Sequence, residues 1–240
     1  VSCVVFIPGL LSTPSAFGAL RKKLESLTSL PFFSLQPVDS ASFSGLVNDL
    51  AERLPDESIL CGHSMGGYLA FGIALTVPQK VRGLVLLSTS AEADTPEAAI
   101  MRGKTSSWAK KSGINALVEA QSRILPAIAL QDDPGLKVTL VLMAEEIGLD
   151  TFERHQTALS ERPDRRSDLP QIECPTLVLT GSEDTITLPQ NGREIAKLMP
   201  NARFEEISGS GHLLPLEDPE ACSELINGFL TEIEQAVRAA

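Results

Sequence analysis

Short apolar runs alternate with stretches of helical apolar spacing along most of this 240-residue chain. The runs predict strands at residues 4–7, 32–35, 59–61, 81–87, 176–179 and 203–207. The helical spacing predicts helices at residues 15–27, 42–54, 65–77, 190–199 and 219–237. Strands that alternate with helices form a parallel sheet with helices on both faces. The sequence therefore predicts an α/β fold with a mostly parallel sheet of about six to seven strands.

Residues 91–170 interrupt this alternation, because their apolar residues show helical spacing and no run predicts a strand. An insertion of about eighty residues between two sheet strands is typical of a folded lid and not of a structureless loop. We therefore expect an α/β core formed by residues 1–90 and 171–240, with residues 91–170 as a helical cap.

The composition is acidic and moderately apolar, with a formal net charge of -11 and 43% hydrophobic residues. Nucleic acids and anionic membranes attract basic proteins, so we expect neither as a partner. No apolar run approaches the roughly 18 residues of a membrane helix. The first residues, "VSCVVFIPG", show neither a basic leader nor a cleavage pattern. These features predict a cytoplasmic globular protein.

The cysteines are Cys3, Cys61, Cys174 and Cys222, and no CxxC pattern occurs among them. In a chain of this length, wide spacing predicts buried thiols and argues against a disulfide framework or a zinc site. We find no phosphate-binding loop and no spacing of metal ligands, so we expect neither a metal nor a cofactor.

The segment "ILCGHSMGG" at residues 59–67 places a serine between a predicted strand and a predicted helix. Its pattern Gly62-x-Ser64-x-Gly66 is that of a nucleophile elbow, in which the serine occupies a sharp, strained turn. Side chains two positions before and after the serine would collide, which explains both glycines. The turn also directs the N–H groups of the following helix at a developing oxyanion.

A serine nucleophile needs a base, and the chain has three histidines. His63 lies beside Ser64 within the turn, where packing or a local hydrogen bond is its expected role. His155 lies among charged residues in a predicted helix and is expected to be exposed. His212 follows the last predicted strand, and the preceding "SGSG" predicts a mobile turn at the carboxyl edge of the sheet. His212 is therefore the predicted base.

A histidine base needs an acceptor that fixes its tautomer and stabilises the imidazolium. Asp184 follows the fifth predicted strand and is the predicted acceptor. Glu183 is expected to point into solvent. Asp218 is expected to cap the last helix, with Pro219 at the first helical position.

Two N–H groups are needed to bind an oxyanion. Met65 follows the serine and supplies the first. The loop "FIPGLLST" follows the first predicted strand, and Gly9 lets its backbone approach closely, so the N–H of Leu10 is the predicted second donor. A plain turn is the alternative interpretation of Pro8 and Gly9.

Four segments, "FIPGLLS", "GHSMGGYLA", "CPTLVLTGSEDTITLP" and "GSGHLLPLEDPEA", carry a family resemblance. The chain resembles small bacterial α/β-hydrolases of the esterase, lactonase and C–C hydrolase group over residues 4–88 and 174–230. The order Ser64, Asp184, His212 is the order of that family. The chain departs from the family in having Pro8 where a histidine is common.

The resemblance implies an acyl pocket beside the serine, formed by Gly9, Leu11, Trp108 and Leu213. For Trp108, as for Met101 and Met143, the interior of the cap is the alternative location. A charged cluster close to the end of the cap is expected to form salt bridges that anchor the cap, with substrate carboxylate binding as the alternative. Its members are Arg162, Asp164, Arg165, Arg166 and Asp168.

These features predict a cofactor-free serine hydrolase that cleaves an ester, thioester or lactone of a small molecule through an acyl-enzyme. A lyase or a C–C bond hydrolase with the same three residues is the first alternative, and basic or polar cap residues facing Ser64 would favour it. A non-enzymatic receptor for a small ligand is the second alternative. The acyl and alcohol groups are selected by the variable cap, which the fold alone does not specify.

Overall fold

A computed structural model of the chain describes residues 2–239, with side chains described as far as residue 236. Within this range six strands form one parallel sheet in the order β2-β1-β3-β4-β5-β6. The strands are β1 (Cys3–Ile7), β2 (Phe32–Ser34), β3 (Ser58–His63), β4 (Val81–Leu87), β5 (Thr176–Gly181) and β6 (Ala202–Ile207). The predicted α/β fold with a parallel sheet is therefore confirmed.

The helices lie on both faces of the sheet. They are α1 (Gly18–Leu27), α2 (Phe43–Arg53), α3 (Met65–Thr76), α4 (Pro96–Ser112), α5 (Ile114–Ser122), α6 (Pro134–Ser160), α7 (Pro189–Leu198), α8 (Leu214–Glu217) and α9 (Pro219–Ala239). The first predicted helix begins later than expected, because residues 14–17 form a 3-10 turn before α1. Three of the cysteines are buried and Cys174 is partly exposed, and all four are free thiols.

Two hydrophobic clusters enclose the sheet. In β1 the side chains of Val4 and Phe6 join one cluster, whereas Val5 and Ile7 join the other. The first cluster contains apolar residues of α1 and α9, and the second contains those of α2, α3 and α7. Every residue of β1 is buried because both faces of the strand are covered, which is the reason for its continuous apolar sequence.

Residues 91–170 contain no strand, as the sequence predicts, and α4, α5 and α6 account for most of them. Helix α6 is interrupted at Gly148, whose φ of 76° lies in the left-handed region that favours glycine. The role of this segment as a cap stays a prediction. None of the helices within residues 2–239 combines the length and the apolar character needed to cross a membrane.

Candidate active site

Ser64 lies at the junction of β3 and α3, in the turn that the sequence predicts. Its φ of 51° and ψ of -112° are unfavourable for a residue with a side chain. Backbone hydrogen bonds hold the turn. The Ser64 N–H donates to the carbonyl of Leu87 in β4 at 2.9 Å, and the Ser64 carbonyl accepts from the N–H of Gly67 at 2.9 Å. The strained conformation is therefore built into the fold.

The glycines on either side of Ser64 are required by close backbone contacts. A Cβ at Gly62 would lie 2.4 Å from the carbonyl oxygen of Gly66, which is the collision predicted from the sequence. A Cβ at Gly66 would lie 2.0 Å from the carbonyl oxygen of Ile7. The second glycine is thus required by strand β1, a neighbour in space that the local pattern does not reveal.

The structure brings Ser64, His212 and Asp184 together. The Oγ of Ser64 lies 3.0 Å from Nε2 of His212. Nδ1 of His212 lies 2.9 Å from Oδ2 and 3.1 Å from Oδ1 of Asp184. Both contacts are within hydrogen-bond reach, and the side chains of His212 and Asp184 are buried. A proton can therefore pass from the serine to the imidazole without movement of the backbone.

Asp184 is held by groups that follow it in the chain. Its Oδ1 accepts from the N–H groups of Ile186 and Thr187, each at 2.9 Å, and its Oδ2 accepts from the Thr187 hydroxyl at 2.8 Å. Burial by itself raises the pKa of Asp184, but the charge of His212 and these hydrogen bonds lower it to about 2. The carboxyl group is therefore ionised at neutral pH. The sequence interpretation did not predict that Thr187 holds Asp184. A hydroxyl residue three positions after an aspartate in a loop is nevertheless a pattern that indicates such a hydrogen bond.

The loop that carries His212 is fixed by Glu217. The carboxylate of Glu217 accepts from the N–H groups of Gly211 at 2.8 Å and Leu213 at 2.6 Å, and also from that of Ala127 at 2.8 Å. These hydrogen bonds hold the backbone on both sides of His212, which the prediction of a mobile turn did not include. The sequence did not suggest this role for Glu217.

Of the other two histidines, His63 is packed in the interior as expected, although its hydrogen bond is not local, whereas His155 differs from expectation. His63 is buried, and its Nε2 donates to the carbonyl of His212 at 2.7 Å, so its hydrogen bond connects distant parts of the chain. Burial and the charge of His212 lower the pKa of His63 to about 4, which makes it neutral at pH 7. His155 is also buried, with Nε2 donating to the carbonyl of Val38 at 2.8 Å, so the prediction of an exposed side chain is wrong.

Two acidic residues near the site agree with the sequence interpretation. Asp218 caps α9 by accepting from the N–H of Ala221 at 2.9 Å. Glu183 is exposed, as predicted, and its carboxylate also accepts from the N–H of Ile128 at 3.0 Å. Neither carboxylate binds His212, which leaves Asp184 as its partner.

The loop after β1 passes directly beside the serine. A Cβ at Gly9 would lie 3.1 Å from Nδ1 of His63 and 3.3 Å from Cβ of Ser64, so a larger residue would fit tightly here. Leu11 follows with a φ of 55°, which turns the loop sharply. Within residues 2–239 the N–H groups of Leu10 and Met65 donate to no backbone carbonyl. They are therefore free for an oxyanion, and this role stays a prediction.

A cavity of about 130 Å³ opens beside the serine, and its walls are mostly apolar. Gly9, Leu11 and Leu213 line it as expected, together with Leu10. Residues of the 91–170 segment, among them Leu125, Leu140 and Met143, complete the wall. Polar side chains that the sequence interpretation missed also line it, namely Ser12, Tyr68, Arg102 and Gln121.

Trp108 does not line this cavity, which corrects the prediction of a pocket residue. It lies on the outer face of α4 with Lys104 and Lys111, and it is 43% exposed. Met101 is likewise exposed, whereas Met143 is buried. Helical spacing places Met101 and Trp108 on one face of α4, but it does not tell whether that face points inward or outward.

The charged cluster forms salt bridges, as expected. Arg165 pairs with Asp168 at 2.9 Å, and Arg166 pairs with Asp164 and, at 3.0 Å, with Glu92. The fifth member, Arg162, pairs with Asp94 and donates to the carbonyl of Glu92 at 3.0 Å. None of the five members lines the cavity beside Ser64.

Comparisons with known proteins agree with this architecture. A sequence model of the Alpha/beta hydrolase family matches residues 4–225. The sn-1-specific diacylglycerol lipase ABHD11 of Mus musculus is 27% identical over an alignment that covers 95% of this chain and 80% of that protein. A thermophilic esterase from Thermogutta terrifontis, solved with malate bound, is 25% identical with a TM-score of 0.86, covering 97% of this chain and 90% of that chain. MenH from S. aureus, at 21% identity, has the same fold with a TM-score of 0.85 over 97% and 94% of the two chains.

Proposed function

Because this chain belongs to the alpha/beta hydrolase family, we propose that it cleaves a carboxylic ester, thioester or lactone of a small molecule through an acyl-enzyme on Ser64. The observation that carries the proposal is the hydrogen-bonded series from Ser64 Oγ to His212 at 3.0 Å and from His212 to Asp184 at 2.9 Å. The relatives named as an esterase and a lipase support the same class of reaction.

In the first half of the reaction Ser64 Oγ attacks the substrate carbonyl while its proton passes to Nε2 of His212. Asp184 accepts the Nδ1 proton of His212 in a hydrogen bond and stabilises the imidazolium. The tetrahedral intermediate then collapses, and His212 returns the proton to the leaving oxygen or sulfur. The alcohol of an ester or the thiol of a thioester departs, whereas the hydroxyl freed from a lactone stays on the acyl chain, and in each case the acyl group is left on Ser64.

The negative charge of the intermediate is stabilised by the N–H groups of Met65 and Leu10. Met65 is the first residue of α3, so the positive end of the helix dipole contributes as well. Loss of one such donor costs about 3 kcal/mol of transition-state stabilisation in comparable enzymes.

In the second half a water molecule attacks the acyl carbonyl. His212 takes one proton from the water and returns it to Ser64 Oγ, which releases the carboxylic acid and restores the enzyme. Residues 91–170 act as a cap in this proposal, because they supply one wall of the cavity and exclude bulk water from the acyl-enzyme.

The size of the cavity favours a short acyl group. Its volume of about 130 Å³ is close to that of the roughly 150 Å³ engineered cavity that binds benzene. We therefore expect kcat/KM for p-nitrophenyl esters to be highest for acyl chains of about two to four carbons and to fall with longer chains.

The experiment that tests the proposal is steady-state kinetics on that ester series with the wild-type protein and Ser64→Ala. The variant should lose activity by more than about 10⁴-fold, because the nucleophile is absent. Ser90→Ala is the matched control, a buried serine that does not line the cavity, and it should keep ester turnover. Wild-type turnover in Ser64→Ala would exclude the proposed mechanism.

A second candidate is C–C bond hydrolysis or a lyase reaction on the same three residues. It is favoured by Arg102 and Gln121, polar side chains of the 91–170 segment that line the cavity. The same kinetic series separates the two candidates. Weak turnover of every ester, together with covalent modification of Ser64 by a phosphonate, would favour the second candidate.

A further inference from the structure

Arg102 is distinctive among the residues that line the cavity. It lies on α4, and within residues 2–239 it is the one permanently charged side chain of the cavity wall. Its side chain is 22% exposed, so most of the side chain is withdrawn from bulk water. A cation in this position is costly unless it is paired, so its pairing decides what the site can bind.

Asp94 is the carboxylate that pairs with Arg102. The Nε of Arg102 donates to Oδ2 of Asp94, and a terminal nitrogen donates to Oδ1 at 3.1 Å. Oδ1 also accepts from Arg162, whose side chain is only 8% exposed. One buried carboxylate therefore serves two guanidinium groups, and the three side chains carry a net charge of one positive unit.

Among the residues whose side chains the structure describes, no other carboxylate lies within 4 Å of Arg102 or Arg162. The carboxylate of Glu92, which is close to Asp94 in the chain, binds Arg166 at 3.0 Å and Asn191 at 3.1 Å instead. Arg162 also donates to the carbonyls of Glu92 at 3.0 Å and Leu159 at 3.1 Å, and its guanidinium lies over the ring of Tyr68. The surplus positive charge therefore belongs to the group of three side chains, and Arg102 is the member of that group that lines the cavity.

Arg102 also has hydrogen-bond donors to spare. Besides its two bonds to Asp94, it donates to Oε1 of Gln156 at 2.7 Å. A guanidinium carries five N–H donors, so after these three bonds two have no partner among the described side chains and backbone. Asp94 and Gln156 fix the orientation of the group, which lowers the entropy cost of binding a ligand.

We propose that Arg102 binds a carboxylate carried by the substrate at a position other than the scissile bond. This inference rests on the proposed hydrolase function and narrows its substrate class to small esters, thioesters or lactones with an anionic group. A carboxylate matches the free N–H donors and the surplus charge. The cavity of about 130 Å³ also suits a planar carboxylate better than a bulkier phosphate.

The test compares matched esters that differ only in charge. One pair places the charge on the leaving group, para-acetoxybenzoate with its neutral analogue para-acetoxybenzamide. The other places it on the acyl group, phenyl hydrogen malonate with phenyl isovalerate. The wild-type protein should have a kcat/KM about ten- to a hundredfold higher for the charged member of at least one pair.

The variant Arg102→Gln should lower kcat/KM for the charged ester of that pair about ten- to a hundredfold more than for its neutral analogue, which abolishes the preference. Asp94 keeps Arg162 as a partner in this variant, so the fold should persist. Lys104→Gln is the matched control, because it removes one positive charge from the exposed face of the same helix. It should leave the preference intact. Competitive inhibition of the wild-type protein by benzoate but not by benzamide provides a readout that needs no variant.

The proposal is overturned if the wild-type protein prefers neither charged ester, or if Arg102→Gln lowers both members of a pair equally. It is also overturned if Lys104→Gln removes the preference as completely as Arg102→Gln. If no ester is hydrolysed, the proposed function fails separately. The thermal midpoint then still tests whether the carboxylate site exists. Benzoate should raise the midpoint of the wild-type protein more than benzamide does, and this difference should be lost in Arg102→Gln.

Discussion

At the scale of single residues, the environment of each histidine and carboxylate decides its protonation. Asp184 and Asp218 are both carboxylates in loops, yet only Asp184 is buried against an imidazole, and its pKa is lowered to about 2. Asp218 instead accepts the N–H of Ala221 at the start of α9. The two residues are therefore a natural pair for separating catalysis from stability.

Exchange of Asp184 for Asn should lower kcat by about 10³- to 10⁴-fold, because the amide cannot stabilise the imidazolium and favours the wrong tautomer of His212. Asp218→Asn is the control, and it should change kcat by less than about twofold while changing the free energy of unfolding by at most about 1 kcal/mol. The measurement is kcat on the preferred p-nitrophenyl ester. Equal kcat losses in both variants would contradict the role given to Asp184.

At the scale of elements, the loop before α8 is the part that sequence reasoning described least well. The sequence "SGSGH" suggested mobility, but Gly211 is glycine for a different reason. A Cβ there would lie 2.4 Å from the backbone nitrogen of Ala127, so the loop packs against the 91–170 segment. Glu217 holds the same two segments together through three N–H groups.

Exchange of Glu217 for Ala should therefore lower the free energy of unfolding by about 2–5 kcal/mol, since it leaves three N–H groups without their acceptor. It should also lower kcat, because His212 is no longer held on both sides. Glu205→Ala is the control, an exposed carboxylate on β6, and its effect should stay within about 0.5 kcal/mol. Urea unfolding measures the stability of both variants. A stability of Glu217→Ala equal to that of Glu205→Ala would show that the carboxylate of Glu217 is not needed.

The elements themselves were largely predictable, since strand and helix positions follow from the period of apolar residues. Which side of a helix is buried was harder to predict. Trp108 occupies the outer side of α4, and His155 is buried despite its charged neighbours, because packing partners distant in sequence decide burial. Contacts such as that of His63 with the carbonyl of His212 also lie beyond any local pattern.

At the scale of the whole molecule, the lowered pKa values of buried groups make stability depend on pH. Burial and the charge of His212 lower the pKa of His63 from 6.5 to about 4, so the unfolded chain binds a proton at a pH where the folded chain does not. Stability from this group is complete above pH 6.5 and is lost as the pH falls towards 4. Asp184 acts in the same direction at lower pH, between its ordinary value of 3.8 and about 2.

The free energy of unfolding should accordingly fall between pH 7 and pH 4, with His63 contributing about 3 kcal/mol of the decrease. Exchange of His63 for Phe should flatten the decrease, because the side chain no longer titrates. His155 has a lowered pKa for the same reason, burial, and adds a smaller decrease in the same range that persists in the variant. Urea unfolding at several pH values checks this, and an identical pH dependence in both proteins would contradict it.

The most direct test of the central claim is the site of covalent labelling by a p-nitrophenyl phosphonate, mapped by mass spectrometry in the wild-type protein and in His212→Ala. The account predicts a single adduct on Ser64 in the wild-type protein, formed much more slowly in the variant, because the alcohol depends on the imidazole for activation. An adduct on another residue, or equal labelling rates in both proteins, would contradict it.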